Sequence, residues 1–211
     1  FLLNISKYIM KNIVLIGSGS IGSRHLQALT KINRDVSVTV VDDNKNSLVV
    51  AKKRFEELPT SDFIKSISFS KTLKSLHGSV DIAIISTLAD VRKNVIESLL
   101  KQVDVKNLLL EKIVFQSVND FQDILLLIEH KKIKAWVNFT RRIMPFYRKI
   151  KNYFSTNEKI YFHIDEGNWG LVQSSFHYLD LFHFITKENL LSVDSSNLDS
   201  VIQKSKRDGF I

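Results

Sequence analysis

Three glycines and one aspartate near the start of the chain have the types and spacing of a phosphate- and ribose-binding site. Gly17, Gly19 and Gly22 form the pattern G-x-G-x-x-G. The first glycine permits a tight turn, the second lets a pyrophosphate approach the backbone, and the third allows a helix to pack closely on a strand. Asp42 follows about 20 residues later, where a carboxylate accepts hydrogen bonds from ribose hydroxyls. Together these residues predict dinucleotide binding.

The residues around the glycines predict the strand and the helix that such a site needs. Residues 13–16 are consecutive apolar residues, which is typical of a buried parallel strand, and the pattern over 21–29 predicts a helix. The N–H groups of Ser20 and Ile21 would then lie at the positive end of that helix, where phosphate binds. A second apolar run ends just before Asp42. Because this carboxylate would repel a 2′-phosphate, we expect NAD rather than NADP.

Strand and helix patterns alternate with short connections as far as residue 139. This alternation predicts an α/β fold, a Rossmann-type doubly wound parallel sheet covered by helices on both faces. Ligands of such sheets bind beyond the carboxyl ends of the strands. The polar residues at the predicted strand ends are Asp42, Ser86, Thr87, Glu111, Lys112 and Asn138. Of these, we add Thr87 and Glu111 to the candidates for cofactor binding, and we expect a dinucleotide-binding domain over 11–139.

The pattern changes after residue 139, which predicts a second, partial domain over 140–211. Pro145 suits the first turn of a helix, residues 160–164 read as a strand, and 173–185 read as a helix that carries His177 and Asp180. The chain stops where the pattern predicts the middle of a strand. We therefore expect a fragment or a truncated gene product.

Composition excludes several classes of protein. The 211 residues are 44% hydrophobic and include no cysteine, so disulfides and thiolate metal sites are impossible. The histidines and carboxylates have no metal-binding spacing, and no apolar run is long enough to cross a membrane. The net charge of +8 is scattered and comes without a nucleic-acid-binding motif. We expect a cytoplasmic protein that binds neither metal, membrane nor nucleic acid.

Several motifs in a fixed order make the chain similar to the glucose–fructose oxidoreductase / inositol dehydrogenase / MocA (Gfo/Idh/MocA) family of NAD(P)-dependent sugar oxidoreductases. They are Gly17-x-Gly19-x-x-Gly22-x-Arg24-His25, Asp81-Ile82-Ala83-Ile84-Ile85-Ser86-Thr87, Glu111-Lys112, Arg141-Arg142-x-x-Pro145 and His177-x-x-Asp180. The resemblance implies that the second domain is part of an α+β open-sheet domain for substrate binding, which commonly forms homo-oligomers. Residues 168–170 and 205–210 look most like members that act on surface-polysaccharide sugars.

The resemblance also implies catalytic roles. Lys112 matches the family's lysine beside the nicotinamide, which would polarise the reacting oxygen. His177 matches the family's general acid/base. Asp180 would orient His177, contact substrate or serve local packing. These roles predict hydride transfer between NAD and a secondary alcohol or ketone of a sugar or nucleotide-linked sugar.

Two departures from the family pattern favour a second interpretation. Ile113 stands where the family has a proline after the lysine, and Gln173 stands where it often has an aspartate one turn before the histidine. Gln173 can donate and accept hydrogen bonds but carries no charge. The alternative is a non-catalytic sensor or scaffold that still binds a dinucleotide.

Overall fold

The computed structural model describes residues 10–59, 61–154, 159–165, 171–189, 192–197 and 201. The chain divides into two compact units, Phe1–Phe139 and Thr140–Ile211. Among the residues described, no helix is both long and apolar enough to cross a membrane.

The first unit contains a parallel sheet of six strands. These strands are β1 (Lys11–Ile16), β2 (Val36–Val41), β3 (Ile64–Ser70), β5 (Ile82–Ile85), β7 (Asn107–Leu110) and β8 (Lys134–Val137). Their order across the sheet is β3-β2-β1-β5-β7-β8, and every neighbouring pair is parallel. Two short strands, β4 (Ser79–Val80) and β6 (Asp104–Val105), pair with each other separately. The predicted Rossmann-type parallel sheet is confirmed.

Four helices cover this sheet, and polar side chains cap the first turns of two of them. The four helices are α1 (Ser20–Leu29), α2 (Lys45–Glu56), α3 (Ala89–Gln102) and α4 (Val118–His130). Asn44 caps α2 by accepting hydrogen bonds from the N–H groups of Asn46 and Ser47, and Ser117 caps α4. Such side chains satisfy N–H groups that have no partner within the helix.

The alternation of side chains along β1 explains why helices are needed on both faces. Ile13 and Leu15 pack in a cluster with Leu26 of α1 and Leu48 of α2. Val14 and Ile16 belong to another cluster, which includes residues of α3 and α4. Because successive side chains of a strand point to opposite faces, an all-apolar strand is stable only when both faces are covered.

The second unit is described mainly by helices. Thr140–Ile143 form a 3-10 turn, which is followed by α5 (Pro145–Tyr153) and α6 (Leu171–Thr186), close to the predicted helices. Pro145 occupies the first turn of α5, where a missing N–H costs nothing. The predicted strand at 160–164 is wrong, since these residues have no regular structure. A strand needs a hydrogen-bonded neighbour, and the described part of this unit supplies none.

Candidate functional site

The order of the strands brings two loops together at the centre of the sheet. After β1 the chain builds β2 and β3 on one side, then crosses to place β5 on the other side of β1. Ligands of open α/β sheets bind at such a switch point. The loops are joined by Ser86, whose hydroxyl donates to the carbonyl oxygens of Gly17 at 2.6 Å and Ile16 at 3.1 Å.

The three glycines of the first loop have different surroundings. Gly17 has a positive φ of 86°, and a Cβ there would lie 2.8 Å from the backbone nitrogen of Thr87. A Cβ on Gly22 would lie only 1.9 Å from the carbonyl oxygen of Gly17. By contrast, a Cβ on Gly19 would meet nothing within 4 Å. Gly17 and Gly22 are therefore needed for the fold itself, whereas Gly19 leaves open space.

That open space lies at the N-terminus of α1. Gly19 is the N-cap, and it brings no side chain to satisfy the first N–H groups of the helix. Ser20 and Ile21 follow as the first residues of α1, and both are exposed. Unpaired N–H groups and the positive end of the helix dipole favour an anion here. This is where the sequence predicted that the pyrophosphate binds.

Asp42 lies directly after β2, and its carboxylate is tied to the glycine loop. One oxygen accepts from the N–H of Ser18 at 2.5 Å and from the Ser18 hydroxyl at 3.0 Å. The other oxygen accepts from the N–H of Asn44 at 2.9 Å. A carboxylate has about four acceptor positions, so these contacts leave one for a ligand. The sequence indicated the place of Asp42 but not its contact with the buried Ser18.

A dinucleotide fits the groups that the first unit presents. The helix N-terminus beside Gly19 is open, and Asp42 retains acceptor capacity near the same loop. In addition, the hydroxyl oxygen of Thr87 is buried at the end of β5 without a hydrogen-bond partner in the described structure. Buried hydroxyls are normally hydrogen-bonded, so this atom is a candidate contact for a ligand group.

Glu111 follows β7, and its buried carboxylate has both hydrogen-bond partners and positively charged groups beside it. The His25 ring nitrogen Nε2 lies 2.7 Å from its side-chain oxygen, and the Asn138 amide donates to it at 2.6 Å. Burial raises the pKa of the Glu111 carboxyl, but these hydrogen bonds and the attraction of His25 and Arg92 outweigh it and hold the pKa below its ordinary value. The predicted contact of Glu111 with the cofactor stays a prediction.

Lys112 is half-buried, in the segment that follows β7. The peptide bond between Lys112 and Ile113 is cis. This segment contacts Arg92 of α3, a residue that the sequence motifs did not single out. The guanidinium of Arg92, which is 2% exposed, donates to the carbonyl oxygens of Glu111 at 2.5 Å and Val114 at 2.9 Å, and also to those of Ile113 and Thr87.

Burial lowers the pKa of Arg92 to about 10, against the opposing attraction of Glu111 and Asp90. The guanidinium therefore stays charged at neutral pH. Helical spacing offered a signal for this residue, because Arg92 shares the buried face of α3 with Ile96 and Leu99. An arginine on an apolar helix face requires buried acceptors, and these are the loop carbonyls.

The second unit carries His177 and Asp180 on α6, and both are partly buried. The Asp180 carboxylate is held by Arg142, whose Nε donates to its two oxygens at 2.9 and 2.7 Å and whose Nη2 donates at 2.5 Å. Such a two-pronged pair fixes both side chains. The three roles considered for Asp180 and the catalytic role of His177 stay predictions.

A protein metal site usually needs at least three side chains such as His, Cys, Asp or Glu around one point. The described residues contain no group of three that could hold a metal ion.

Comparison with known proteins adds a family to this geometry. The sequence profile of an oxidoreductase family with an NAD-binding Rossmann fold, GFO_IDH_MocA, matches residues 11–139. No sequence among the curated proteins matches significantly.

Solved structures share the fold at low sequence identity. The chain is similar to a probable dehydrogenase from Thermotoga maritima (16% identity, TM-score 0.64, 88% of this chain and 60% of that one). It is also similar to the WlbA (WbpB) dehydrogenase from Thermus thermophilus in complex with NAD and alpha-ketoglutarate (18%, 0.59, 83% and 62%). A third is the super-repressor mutant of Gal80p from Saccharomyces cerevisiae (14%, 0.62, 86% and 54%). The chain thus spans less than two thirds of the length of each of these structures.

The profile match covers well over half of the chain and contains the glycine loop, Asp42, Thr87 and the Glu111-Lys112 pair. The six-stranded parallel sheet is the Rossmann fold that the profile describes. The chain therefore belongs to the Gfo/Idh/MocA family of oxidoreductases, with an NAD-binding Rossmann fold over residues 11–139.

Proposed function

We propose that the protein is an NAD-dependent oxidoreductase that transfers a hydride between nicotinamide and a secondary alcohol or ketone of a sugar or nucleotide-linked sugar. The observation that carries the proposal is the contrast among the glycines. At Gly17 and Gly22 a Cβ would collide with neighbouring backbone atoms, whereas at Gly19 the backbone is open at the N-terminus of α1. Open backbone beside free N–H groups is suited to a pyrophosphate.

The preference for NAD rests on Asp42. Its carboxylate has one acceptor position left after its contacts with Ser18 and Asn44, which suits a ribose hydroxyl. A 2′-phosphate would instead place two negative charges side by side. We therefore propose NAD as the cofactor, with NADP bound more weakly.

The proposed chemistry assigns one role to each of two basic side chains. When bound, the nicotinamide accepts the hydride from the alcohol carbon in the oxidative direction. The Lys112 ammonium would hydrogen-bond the reacting oxygen and favour its negative charge as the carbonyl forms. His177 would take the hydroxyl proton, a task for which an imidazole is suited near neutral pH. Asp180 remains the candidate to orient His177.

The substrate class and the setting of the reaction are further parts of the proposal. We place the substrate among sugars of surface-polysaccharide biosynthesis, because residues 168–170 and 205–210 resemble family members that act on such sugars. Both stretches lie outside the described residues. We propose that 140–211 belongs to a substrate and oligomerisation domain, and that the cysteine-free chain acts in the cytoplasm on a small molecule.

A second candidate is a non-catalytic dinucleotide-binding sensor or scaffold. The chain shares its fold with the super-repressor mutant of Gal80p. Ile113 and Gln173 also depart from the family pattern, one next to Lys112 and the other four residues before His177. The side chain of Gln173 is not among those described.

Cofactor binding is the first test. The purified protein is denatured, any released dinucleotide is identified, and NADH and NADPH are titrated by fluorescence. We expect NADH to bind at least about tenfold more tightly than NADPH, a difference of about 1.4 kcal/mol in the free energy of binding. Asp42→Asn should narrow this ratio, whereas Asp43→Asn, a substitution of the exposed neighbour, should not change it. A preference for NADPH in the unaltered protein would contradict the role of Asp42.

Turnover separates the enzyme from the sensor. Sugars, sugar acids and nucleotide-linked sugars are screened for NADH formation or consumption. Lys112→Ala should abolish turnover and leave NADH affinity within about threefold, while Lys101→Ala, which removes an exposed lysine on α3, should alter neither. Tight NADH binding without turnover on any of these substrates would favour the sensor.

A further inference from the structure

The strongest feature outside the predicted site is the contact between Arg92 and the backbone around Lys112. Arg92 donates to the carbonyl oxygens on both sides of Lys112, those of Glu111 and Ile113, and to that of Val114. These three hydrogen bonds come from Nη1, and Nη2 donates to the carbonyl oxygen of Thr87, just after the neighbouring strand β5. A single side chain thus joins the loops that follow β5 and β7.

The location of this cation is unfavourable on general grounds. Arg92 lies in the first turn of α3, where the helix dipole opposes positive charge, and it is almost completely buried. Burial of an arginine is costly unless its N–H groups are hydrogen-bonded, and an apolar residue of similar size would pack on this face without that cost. The carbonyl contacts of the two terminal nitrogens offset much of the cost, although Nε has no hydrogen-bond partner in the described structure. The planar guanidinium is needed because it reaches carbonyl oxygens of two different loops at once.

We propose that Arg92 is a positioning residue that fixes the backbone on both sides of Lys112, so that the lysine side chain is aimed at the nicotinamide and the substrate oxygen. The segment is also held through the Glu111 side chain, which contacts His25 of α1 and Asn138 after β8. Only the aim of Lys112 rests on the proposed function. The restraint of the segment by Arg92 stands independently of it.

The first experiment measures the restraint without any ligand. Amide hydrogen exchange is followed by mass spectrometry over 108–116 in the unaltered protein and in Arg92→Lys. Lysine keeps the charge but cannot span the same carbonyl oxygens. We expect exchange in this segment to be at least about tenfold faster in Arg92→Lys, because hydrogen bonds that hold the backbone are lost.

Ile96→Ala is the matched control. Ile96 lies one turn further along α3 on the same buried face and has no polar contact with the loops. Ile96 shares a core cluster with Leu108 and Leu110, so this substitution should accelerate exchange in β7 and across the helix packing but not specifically at 111–116. Equal acceleration of this segment in Ile96→Ala and Arg92→Lys would overturn the proposal, because it would reduce Arg92 to a packing residue.

The second experiment measures the aim of Lys112. The rate of acetylation of Lys112 by acetic anhydride is determined by mass spectrometry with and without saturating NADH. In the unaltered protein NADH should slow acetylation at least about tenfold, because the nicotinamide covers the ammonium group. In Arg92→Lys this protection should fall to less than about twofold, with NADH affinity changed less than about threefold.

The outcomes distinguish this inference from the proposed function. Full protection of Lys112 in both proteins would overturn the positioning role of Arg92 even if the enzyme is active. Absence of protection in the unaltered protein would refute the placement of Lys112 at the nicotinamide, and the exchange measurement would then decide the restraint alone. Faster exchange in Arg92→Lys together with lost protection supports both steps of the inference.

Discussion

A methyl group added at Gly22 is predicted to destabilise the protein severely, because the position is already filled by backbone. A Cβ there would lie 1.9 Å from the carbonyl oxygen of Gly17, and ordinary contact begins at 3.4 Å, so the loop must retreat by about 1.5 Å. The loop cannot move freely, since Gly17 donates its N–H to Val41 at 2.9 Å and accepts from Ser86 at 2.6 Å.

The expected magnitude follows from these contacts. Overpacking costs about 1–3 kcal/mol. Losing the two hydrogen bonds of Gly17 adds about 2 kcal/mol. Alanine is better than glycine inside a helix by about 1 kcal/mol. The net loss in the free energy of unfolding for Gly22→Ala is therefore about 2–4 kcal/mol, a large fraction of the stability of a domain.

Gly19→Ala in the same motif is the matched comparison. A Cβ at Gly19 meets nothing within 4 Å, so the substitution introduces no clash. Alanine is a poorer N-cap than glycine, but it lowers the entropy of the unfolded chain, and the two effects are each below about 1 kcal/mol and opposite in sign. We expect unchanged stability within about 0.5 kcal/mol, together with NADH affinity reduced at least about tenfold because the methyl group occupies the pyrophosphate position.

Urea unfolding followed by far-ultraviolet circular dichroism, with fluorescence titration of NADH, measures both quantities. Gly19→Ser provides a further check, since serine is a good N-cap and should keep or raise stability while binding still falls. The reasoning is refuted if Gly22→Ala unfolds at the same urea concentration as the unaltered protein, or if Gly19→Ala loses as much stability as Gly22→Ala.

Three other predictions test the rest of the first unit. Burial raises the pKa of Asp81, but hydrogen bonds from the Asn12 backbone and from two lysines outweigh it and lower the pKa below 3.8. The Asp81 carboxylate therefore contributes fully to stability above pH 3.8, and this contribution is lost as the pH falls through its lower pKa in the folded protein. When urea unfolding is measured at decreasing pH, Asp81→Asn should lose less stability in acid than the unaltered protein does. Leu108→Ala, at a fully buried position of β7, should cost about 2–5 kcal/mol, whereas Leu126→Ala, at a position 66% exposed, should stay within about 0.5 kcal/mol, as measured by urea unfolding. Lys93→Met removes partly exposed ion pairs between α3 and α4. It should leave the urea midpoint unchanged in high salt, and a clear shift there would contradict screening of these charges.

The parts of the fold and site that the sequence predicted are those specified by consecutive residues. The run from β1 through the glycines into α1 has an apolar strand, turn residues and a helical pattern next to one another. Asp42 could be located because it directly follows another apolar strand. Where each residue's role follows from its immediate neighbours, local pattern is sufficient.

The contacts around Lys112 could not be predicted in this way, because their partners lie far apart in the chain. Arg92 is 19 to 22 residues from the carbonyl oxygens that it contacts after β7, and His25 is 86 residues from Glu111. A single sequence does not specify which buried polar groups pair across such distances. Even so, the helical spacing that places Arg92 on a buried face predicts that such a partner is needed.

The strand predicted at 160–164 failed for a related reason. Its apolar and β-branched residues fit a strand, but strand formation depends on a neighbouring strand that the local pattern does not include. Helices α5 and α6 satisfy their backbone groups internally, and so the same kind of pattern predicted them well.

The charges around Lys112 also depend on one another. Arg92 and Lys112 bring two cations to one partly buried segment, and such a pair is unfavourable unless a negative charge lies nearby. Glu111 and Asp90 both attract Arg92, and the lowered pKa of Glu111 means that it stays ionised at neutral pH. His25 and Asn138 maintain the ionised form through hydrogen bonds to the carboxylate. The ionised Glu111 carboxylate thus places negative charge next to Lys112 in the segment whose backbone the buried arginine fixes.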